Sequence, residues 1–537
     1  MALVAGAIYA ACAPPVRGAY ADSIMAAASL GIPIWGITSV ILLPLLSGNQ
    51  MAWDAVGMQG HFAPLVGWIL FGALLGGVLQ IASEIAEIRF GPETAPVLSL
   101  SVNLPRVVIL GGGFGGMKAA EYLEEQLGGS VSISLVSDTN ALLFTPMLAE
   151  VAGSSLEPSH ISVPLRSSLR RTRFVRGRVT GVDFERRVVV LDEAGTENRE
   201  LGYDHVIFAL GAVSNYLGLK NVEKLAFDFK TLLDAIRIRN HVIEMFEKAD
   251  RETDPEVRRQ LLTFVIAGGG FAGVELAGAL NDFAHGIFPD YRNLNIDELC
   301  VTLVHSRDRI LPELSETLAA YALETMKQRG VTFRLGARLV DAEPGLVTLS
   351  DGQIAAETLV WTAGTAPNPV IRTLDLPTNA RGAITVDSTL AVPEHPAVWA
   401  LGDCAVVIDS ETKKPCPPTA QFALREAATI ARNIGAALKG EPASDFHFKS
   451  LGALCVIGHQ TACAELTVPF ASTRSLRFSG LLAWFLWRGI YVSKLPGPER
   501  KIRVLMAWTL ELFFPRDIIQ TIELGGKESH AGSHNAQ

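Results

Sequence analysis

Two copies of one glycine pattern, 157 residues apart, constrain the fold of this chain more than any other feature. Gly111-Gly-Gly-Phe-Gly-Gly116 follows the β-branched run Arg106–Leu110 and leads into Met117–Leu127, which has helical character. Gly268-Gly-Gly-Phe-Ala-Gly273 follows Leu262–Ala267 and leads into Val274–Leu280. Strand, glycine turn, helix is the order that a dinucleotide pyrophosphate requires. The first glycine (Gly111, Gly268) makes the turn and the second (Gly113, Gly270) lets the backbone approach the phosphates. The third (Gly116, Gly273) lets helix and strand pack closely. The helix N-terminus adds unpaired N–H groups and the positive end of its dipole. Phe114, beside the second glycine, is counted with these contacts. One copy of the pattern is weak evidence. Two predict an α/β fold with two Rossmann-like domains, and a chain holding two dinucleotides moves electrons between them.

Each unit should end its second strand with an acid for the adenosine ribose, about 20 residues on. After the strand Val131–Val136, Asp138 is that candidate, one place later than expected. After Cys300–Val304 the acid is absent, and His305-Ser-Arg307 stands there instead. These three could tolerate a 2′-phosphate, so NADPH stays open beside the favoured NADH, which Glu275 and backbone groups would hold.

Charge is distributed unevenly. Residues 1–83 carry three charged residues (Arg17, Asp22, Asp54) and residues 84–537 carry the other 98. Within the head, about 24–46 and 62–82 each approach the ~20 apolar residues that span a bilayer. Pro33, Pro44 and several glycines interrupt them, which membrane helices tolerate. The alternative is a pair of buried core helices. No basic region precedes the first apolar stretch, so no cleaved signal is expected. Basic residues flank both ends (Arg17; Arg89, Arg106) and none lies in 47–60, which favours both ends in the cytoplasm. The expected location is therefore the cell inner (plasma) membrane, with the catalytic part on the cytoplasmic side. Residues 91–104 read as a linker and 525–537 as a disordered tail. A net charge of −9 without a Lys/Arg-rich tract argues against a nucleic-acid partner. The six cysteines form no CxxC pair, and no histidine pattern suggests a metal site.

Further segments carry a family resemblance. Tyr203–Gly211, with Ala209 and Gly211, resembles the strand that closes a first FAD segment. Leu359–Asn368, with Gly364, resembles the segment that ends an NAD domain. Val398–Cys404, with Gly402 and Asp403, resembles the segment whose aspartate binds the flavin's ribityl chain. Phe144-Thr-Pro-Met-Leu-Ala-Glu-Val-Ala152, Gly273-Val-Glu-Leu-Ala-Gly278 and Pro417-Pro-Thr-Ala-Gln421 narrow the match. The chain resembles the type II (alternative) NADH:quinone oxidoreductases, within the two-dinucleotide-binding-domain flavoproteins. That resemblance implies an FAD domain at 105–225 and 371–445, an NAD(P)H domain at 226–370 and a membrane-associated C-terminal domain at 446–524. The head at 1–90 is not part of the family's common core.

The resemblance also implies a mechanism. NAD(P)H passes hydride to FAD, and two electrons go on to a membrane quinone without proton pumping. Glu275 would serve nicotinamide binding or proton handling, and Ala420 and Gln421 would lie near the flavin and quinone. Arg425-Glu426 departs from the two glutamines of many members. Around Ser479–Ser493, tryptophans and tyrosine with basic flanks suit a membrane interface facing the lipid bilayer; a subunit interface of a homodimer or a core helix pair is the other reading. Two alternative functions stand beside this one. Sulfide:quinone oxidoreductase needs cysteines facing the flavin, and only Cys404 or Cys300 offers one, with no evident partner. A non-catalytic flavin-binding membrane redox sensor would need neither substrate site.

Overall fold

The computed structural model of the protein describes residues 20–48, 60, 62–90, 104–193, 196–467 and 475–520. The expected linker, save Leu104, and the expected tail lie outside these residues.

Each glycine pattern belongs to its own five-stranded parallel sheet. The first has the order Val398–Ala400, His205–Phe208, Arg106–Leu110, Ser132–Ser137, Arg173–Arg176. Its central strands are buried almost throughout, as a parallel sheet covered on both faces demands. The strand Val398–Ala400 arrives from beyond the second glycine unit, so the first unit is split in sequence and joined in space. The second sheet has the order Phe227–Asp228, Thr358–Trp361, Thr263–Ala267, Cys300–His305, Val331–Leu335.

The repetition extends past the glycines. Each sheet has a three-stranded antiparallel meander, Arg178–Asp183, Val188–Glu193, Thr196–Gly202 in one and Leu339–Glu343, Leu346–Leu349, Gly352–Ala355 in the other. Ala212–Ser214 pairs with Thr365–Pro367 and ties the two units together.

Both glycine-turn helices start three residues earlier than expected, at Phe114 and Phe271. Glycine reads as a poor helix former, yet Gly116 and Gly273 lie inside the first turn. A Cβ on either would sit 1.9 Å from the carbonyl oxygen of Gly111 or Gly268. The close approach of helix to strand therefore overrides propensity.

In the head, the helix Tyr20–Trp35 continues through a π-helical stretch, Gly36–Leu42, into Leu43–Leu46. The second helix, Phe62–Phe90, runs two turns past the expected end at 82. Small residues bring the two backbones into contact: a Cβ on Gly72 would lie 2.2 Å from the Ala27 oxygen, and one on Gly76 2.3 Å from that of Ser23. Ser23 Oγ donates to Gln80 Oε1 at 2.6 Å in the same buried seam. Ser23–Leu46 and Phe62–Ser83 are long and apolar enough to cross a membrane. Their outer side shows Leu46 at 85% and Leu74 at 73% exposure, an apolar face that core helices would bury.

The C-terminal part is a three-stranded antiparallel sheet, Gly452–Val456, Ala462–Thr467, Ser475–Ser479, followed by helices Gly480–Lys494 and Pro498–Leu510. One expectation is corrected here. Trp484, Trp487 and Trp508 do not stand at a membrane surface; they are buried, packed on Arg488 and on one another. Leu482, Met506, Leu510, Phe513 and Phe514 turn outward instead. The head docks on this part, with Ala26 and Ala27 against Ile502.

Candidate functional site

The first glycine turn is shaped for a phosphate. Gly111 has φ +114°, and a Cβ there would strike the Ala209 oxygen at 2.2 Å. Gly113, by contrast, faces open space and precedes a helix that no side chain caps. Both features leave room and free N–H groups for an anion. Asp138 stands exposed just beyond its strand, whereas Ser137, at the strand's last position, is buried beneath Gly112.

Gly211 and Gly402, both in the left-handed region (φ +65° and +68°), close the neighbouring turns. Asp403 is mostly buried. Desolvation raises its carboxyl pKa and the charge of Lys230 partly offsets this. Among the described residues it has no hydrogen-bond partner, so its acceptors are available to a polyol chain. Glu426 supports that turn. Only 2% exposed, it accepts the Gly402 N–H at 2.7 Å, and burial pushes its pKa up to about 7. Arg425, its neighbour, is exposed and lies over the Phe448 ring.

The second turn repeats the first, with Gly268 at φ +128° and room at Gly270, where a Cβ would meet only Glu313 Oε1 at 3.8 Å. Gly364 lies against the Asn215 carbonyl, close enough to exclude a side chain. His305 takes a definite role. Its Nδ1 accepts the Gly269 N–H at 3.0 Å, which puts the ring proton on Nε2. Burial lowers its pKa and keeps it neutral. Nε2 is buried without a partner, a donor left over for a ribose or phosphate oxygen. Ser306 and Arg307 stand exposed beyond it.

Residues 450–456, absent from the expected site, join the two proposed catalytic residues. Gln421 Nε2 donates to Ser450 Oγ and to the Gly452 oxygen, both at 3.2 Å, and its Oε1 accepts the Leu451 N–H at 3.2 Å. Both amide donors are thus committed to this loop, and one oxygen lone pair remains for a ligand. Four residues on, the Val456 N–H donates to Glu275 Oε1 at 3.3 Å. Burial pushes Glu275 up to about 8, and the Glu150 carboxylate adds to the shift. The sequence pattern missed Glu150, though it lies within the Phe144–Ala152 segment. Trp508 Nε1–H donates to it at 3.0 Å, and burial pushes it up to about 7.

An aromatic row links the first glycine turn to the C-terminal helices. Phe114, Phe144, Tyr491, Trp487 and Trp508 follow one another at ring separations of 5.7, 6.2, 4.9 and 6.2 Å.

The cysteines need one correction. Cys455 and Cys463, eight apart in sequence, lie directly opposite on adjacent strands, so a cysteine near Glu275 does have a neighbour. Both are buried, and burial holds Cys463 near about 12 and Cys455 well above its usual value. Cys404 is likewise pushed up to about 12. Burial of this kind favours the protonated thiol over the thiolate.

Comparison with known proteins agrees with this geometry. Residues 105–427 match the family model of pyridine nucleotide-disulphide oxidoreductases, and 450–517 match that of an NDH2 C-terminal domain. The chain is 31% identical to the type II NADH:quinone oxidoreductase Ndh of Mycobacterium tuberculosis, over 76% of this chain and 89% of that protein. It is 30% identical to the type II NADH:quinone oxidoreductase of Haemophilus influenzae, over 72% of this chain and 93% of that one. The structure of NDH2 from Plasmodium falciparum in complex with NADH shares the fold at TM-score 0.72 and 18% identity, covering 78% of this chain and 100% of that one. The sulfide:quinone oxidoreductase of Aquifex aeolicus shares it at TM-score 0.59 and 17% identity, over 76% and 95%. Neither family model reaches the head. The chain belongs to the pyridine nucleotide-disulphide oxidoreductases and, among them, to the type II NADH:quinone oxidoreductases.

Proposed function

We propose that the chain is an FAD-dependent NADH:quinone oxidoreductase that pumps no protons and works at the surface of the cell inner membrane, on its cytoplasmic side. One observation carries the reading: the C-terminal part touches both nucleotide units, through Val456 of its first strand on Glu275 and Tyr491 of its first helix on Phe144. A membrane-side segment is thereby built into the floor of the electron-transfer site.

FAD fits the first unit. Gly111, Gly113, Phe114 and Gly116 would hold its pyrophosphate, Asp138 its adenosine ribose, and Ala209 and Gly211 would line it. Gly402 and Asp403 would hold the ribityl chain, and the helix N-terminus at Ala420 and Gln421 would meet the ring. NADH fits the second unit, on Gly268, Gly270, Gly273 and Gly364, with Glu275 and His305 facing it. FAD held there would supply the redox chemistry, as hydride acceptor toward NADH and two-electron donor toward a quinone. The protein's part is to aim the N–H groups of both helices, exclude water and hold protons on Glu275. The outward apolar side of the head and of Leu482, Met506, Leu510, Phe513 and Phe514 suits lipid. The head holds no acid–base chain across its spans, which supports redox work without pumping.

Steady-state oxidation of NADH and of NADPH with a short-chain quinone in detergent tests the reading. NADH should be oxidised, the quinone reduced, and added metal without effect. A bound flavin that neither nucleotide reduces would defeat it, as would a colourless protein.

A further inference from the structure

NADH delivers two electrons and one proton as hydride, while a quinol needs two protons. The balance is NADH + H⁺ + quinone → NAD⁺ + quinol, so one proton comes from water, and a site that opens to lipid needs a route for it. We propose that Glu150 passes this proton inward to Glu275, through a buried array whose outer end lies at Glu511 and His459. The proposal rests on the NADH:quinone reading above.

The groups of this array lie on elements that pack against one another. Glu150 sits on the short helix Leu148–Ala152, which packs on the helix Phe271–Ile287 that carries Glu275. The approach is close: a Cβ on Gly153 would lie 2.9 Å from the Ala279 oxygen. On its other side Glu150 accepts from Trp508 and faces the Arg488 guanidinium, held between the rings of Trp484 at 3.7 Å and Trp508 at 4.4 Å. Arg488 and Arg516 both pair with Glu511, at 3.2 and 3.1 Å, and Ser155 Oγ donates to it at 2.8 Å. Exposed His459 faces Glu511 and Asp282.

The charges divide the labour. Glu150 faces Arg488, Glu511 and Arg516; Glu275 faces Glu150, Trp487, Tyr491 and Cys455. The two arginines hold Glu511 below the usual carboxylate range, so it stays an anion that draws positive charge from the surface. Glu150 and Glu275, at about 7 and about 8, can each hold and release a proton near neutrality. The step is simple: Glu275 gives a proton to the quinone side and is reprotonated by Glu150, which refills from water. Glu150 acts through Glu275 and is a positioning and relay residue. A purely structural Glu150 would only neutralise Arg488.

Full-length flavin-loaded protein in detergent separates the two. In Glu150→Gln the Trp508 acceptor survives and the titrating proton is lost. Expected are a drop in quinone turnover of about a hundredfold, a flattened alkaline limb near pH 7–8, and NADH-driven bleaching of the flavin at the native rate. Infrared spectra at pH 7 should also lose intensity in the protonated-carboxyl band, a readout independent of turnover. Glu150→Asp should recover much of the rate with a displaced alkaline limb. Native turnover and pH profile in Glu150→Gln overturn the relay, as does an unchanged carboxyl band. If Glu150→Gln loses its flavin, Glu150→Asp decides: a displaced limb supports the relay and an unmoved one overturns it. Failure of the native protein to reduce quinone would be a different result, since it removes the enzyme reading itself.

Discussion

The carboxylate of Glu426 accepts the backbone N–H of Gly402 across 2.7 Å, and so fixes the turn that presents Asp403. Glu426 thus supports the turn at Gly402, which the proposed function assigns to the flavin, and its exposed neighbour Arg425 is separate from it. A glutamine oxygen can accept the same N–H, which is why the departure from the family pattern is tolerable here. Glu426→Gln should keep its flavin. Glu426→Ala strands a buried donor, at a cost of about 1–3 kcal/mol, and should lose flavin on gel filtration. The flavin-to-protein absorbance ratio reads this directly; full retention in Glu426→Ala would contradict the assignment.

The second glycine turn separates binding from folding. Gly270 has open space before it, so Gly270→Asp should fold, keep FAD and lose NADH oxidation, because its carboxylate repels the pyrophosphate. Gly273→Ala should instead fail to fold, with its Cβ 1.9 Å from a carbonyl oxygen. Joint loss of FAD and NADH oxidation in Gly270→Asp would mean that the two turns are assigned the wrong way round.

In the proposed reading, residues 305–307 set the choice of nucleotide. With His305 neutral and bonded to Gly269, only exposed Arg307 offers a charge to a 2′-phosphate. NADH should be the better substrate. Arg307→Ala should raise the KM for NADPH about tenfold, the worth of one charge-assisted hydrogen bond, and leave that for NADH nearly unchanged. Equal effects on both nucleotides would place Arg307 outside the site.

Glu275 makes stability depend on pH. The unfolded carboxyl ionises near 4.5 and the folded one near about 8. Between these values the folded chain binds more protons than the unfolded one, so raising the pH destabilises it. The loss begins above 4.5 and is complete above about 8. Glu275→Gln removes this dependence. Its melting temperature should exceed the native value by a few degrees at pH 9 and by much less at pH 5. Calorimetry showing the same difference at both pH values would exclude a raised folded-state pKa.

Much of this molecule is readable along the chain, because its chemistry is local. A glycine turn between a strand and a helix makes its phosphate site from neighbouring residues, so both turns and the two apolar helices can be recognised from spacing and hydropathy alone, whereas the split of the first domain came from the family resemblance. The helix starts at Phe114 and Phe271 are shifted because propensity does not register a backbone contact with Gly111 or Gly268.

What the chain order conceals are partnerships between distant segments. Glu150 meets Trp508, Glu275 meets Val456, Gln421 spends its amide donors on residues 450–452, and Cys455 lies opposite Cys463. The tryptophans near the C-terminus look interfacial from their basic flanks, yet they are interior, since burial depends on what packs against a helix and not on its composition. Sequence by itself determined that two dinucleotide sites share this chain with a membrane-type head. Tertiary packing alone decided which carboxyls are desolvated, because desolvation is set by the elements that close over a group from elsewhere in the chain.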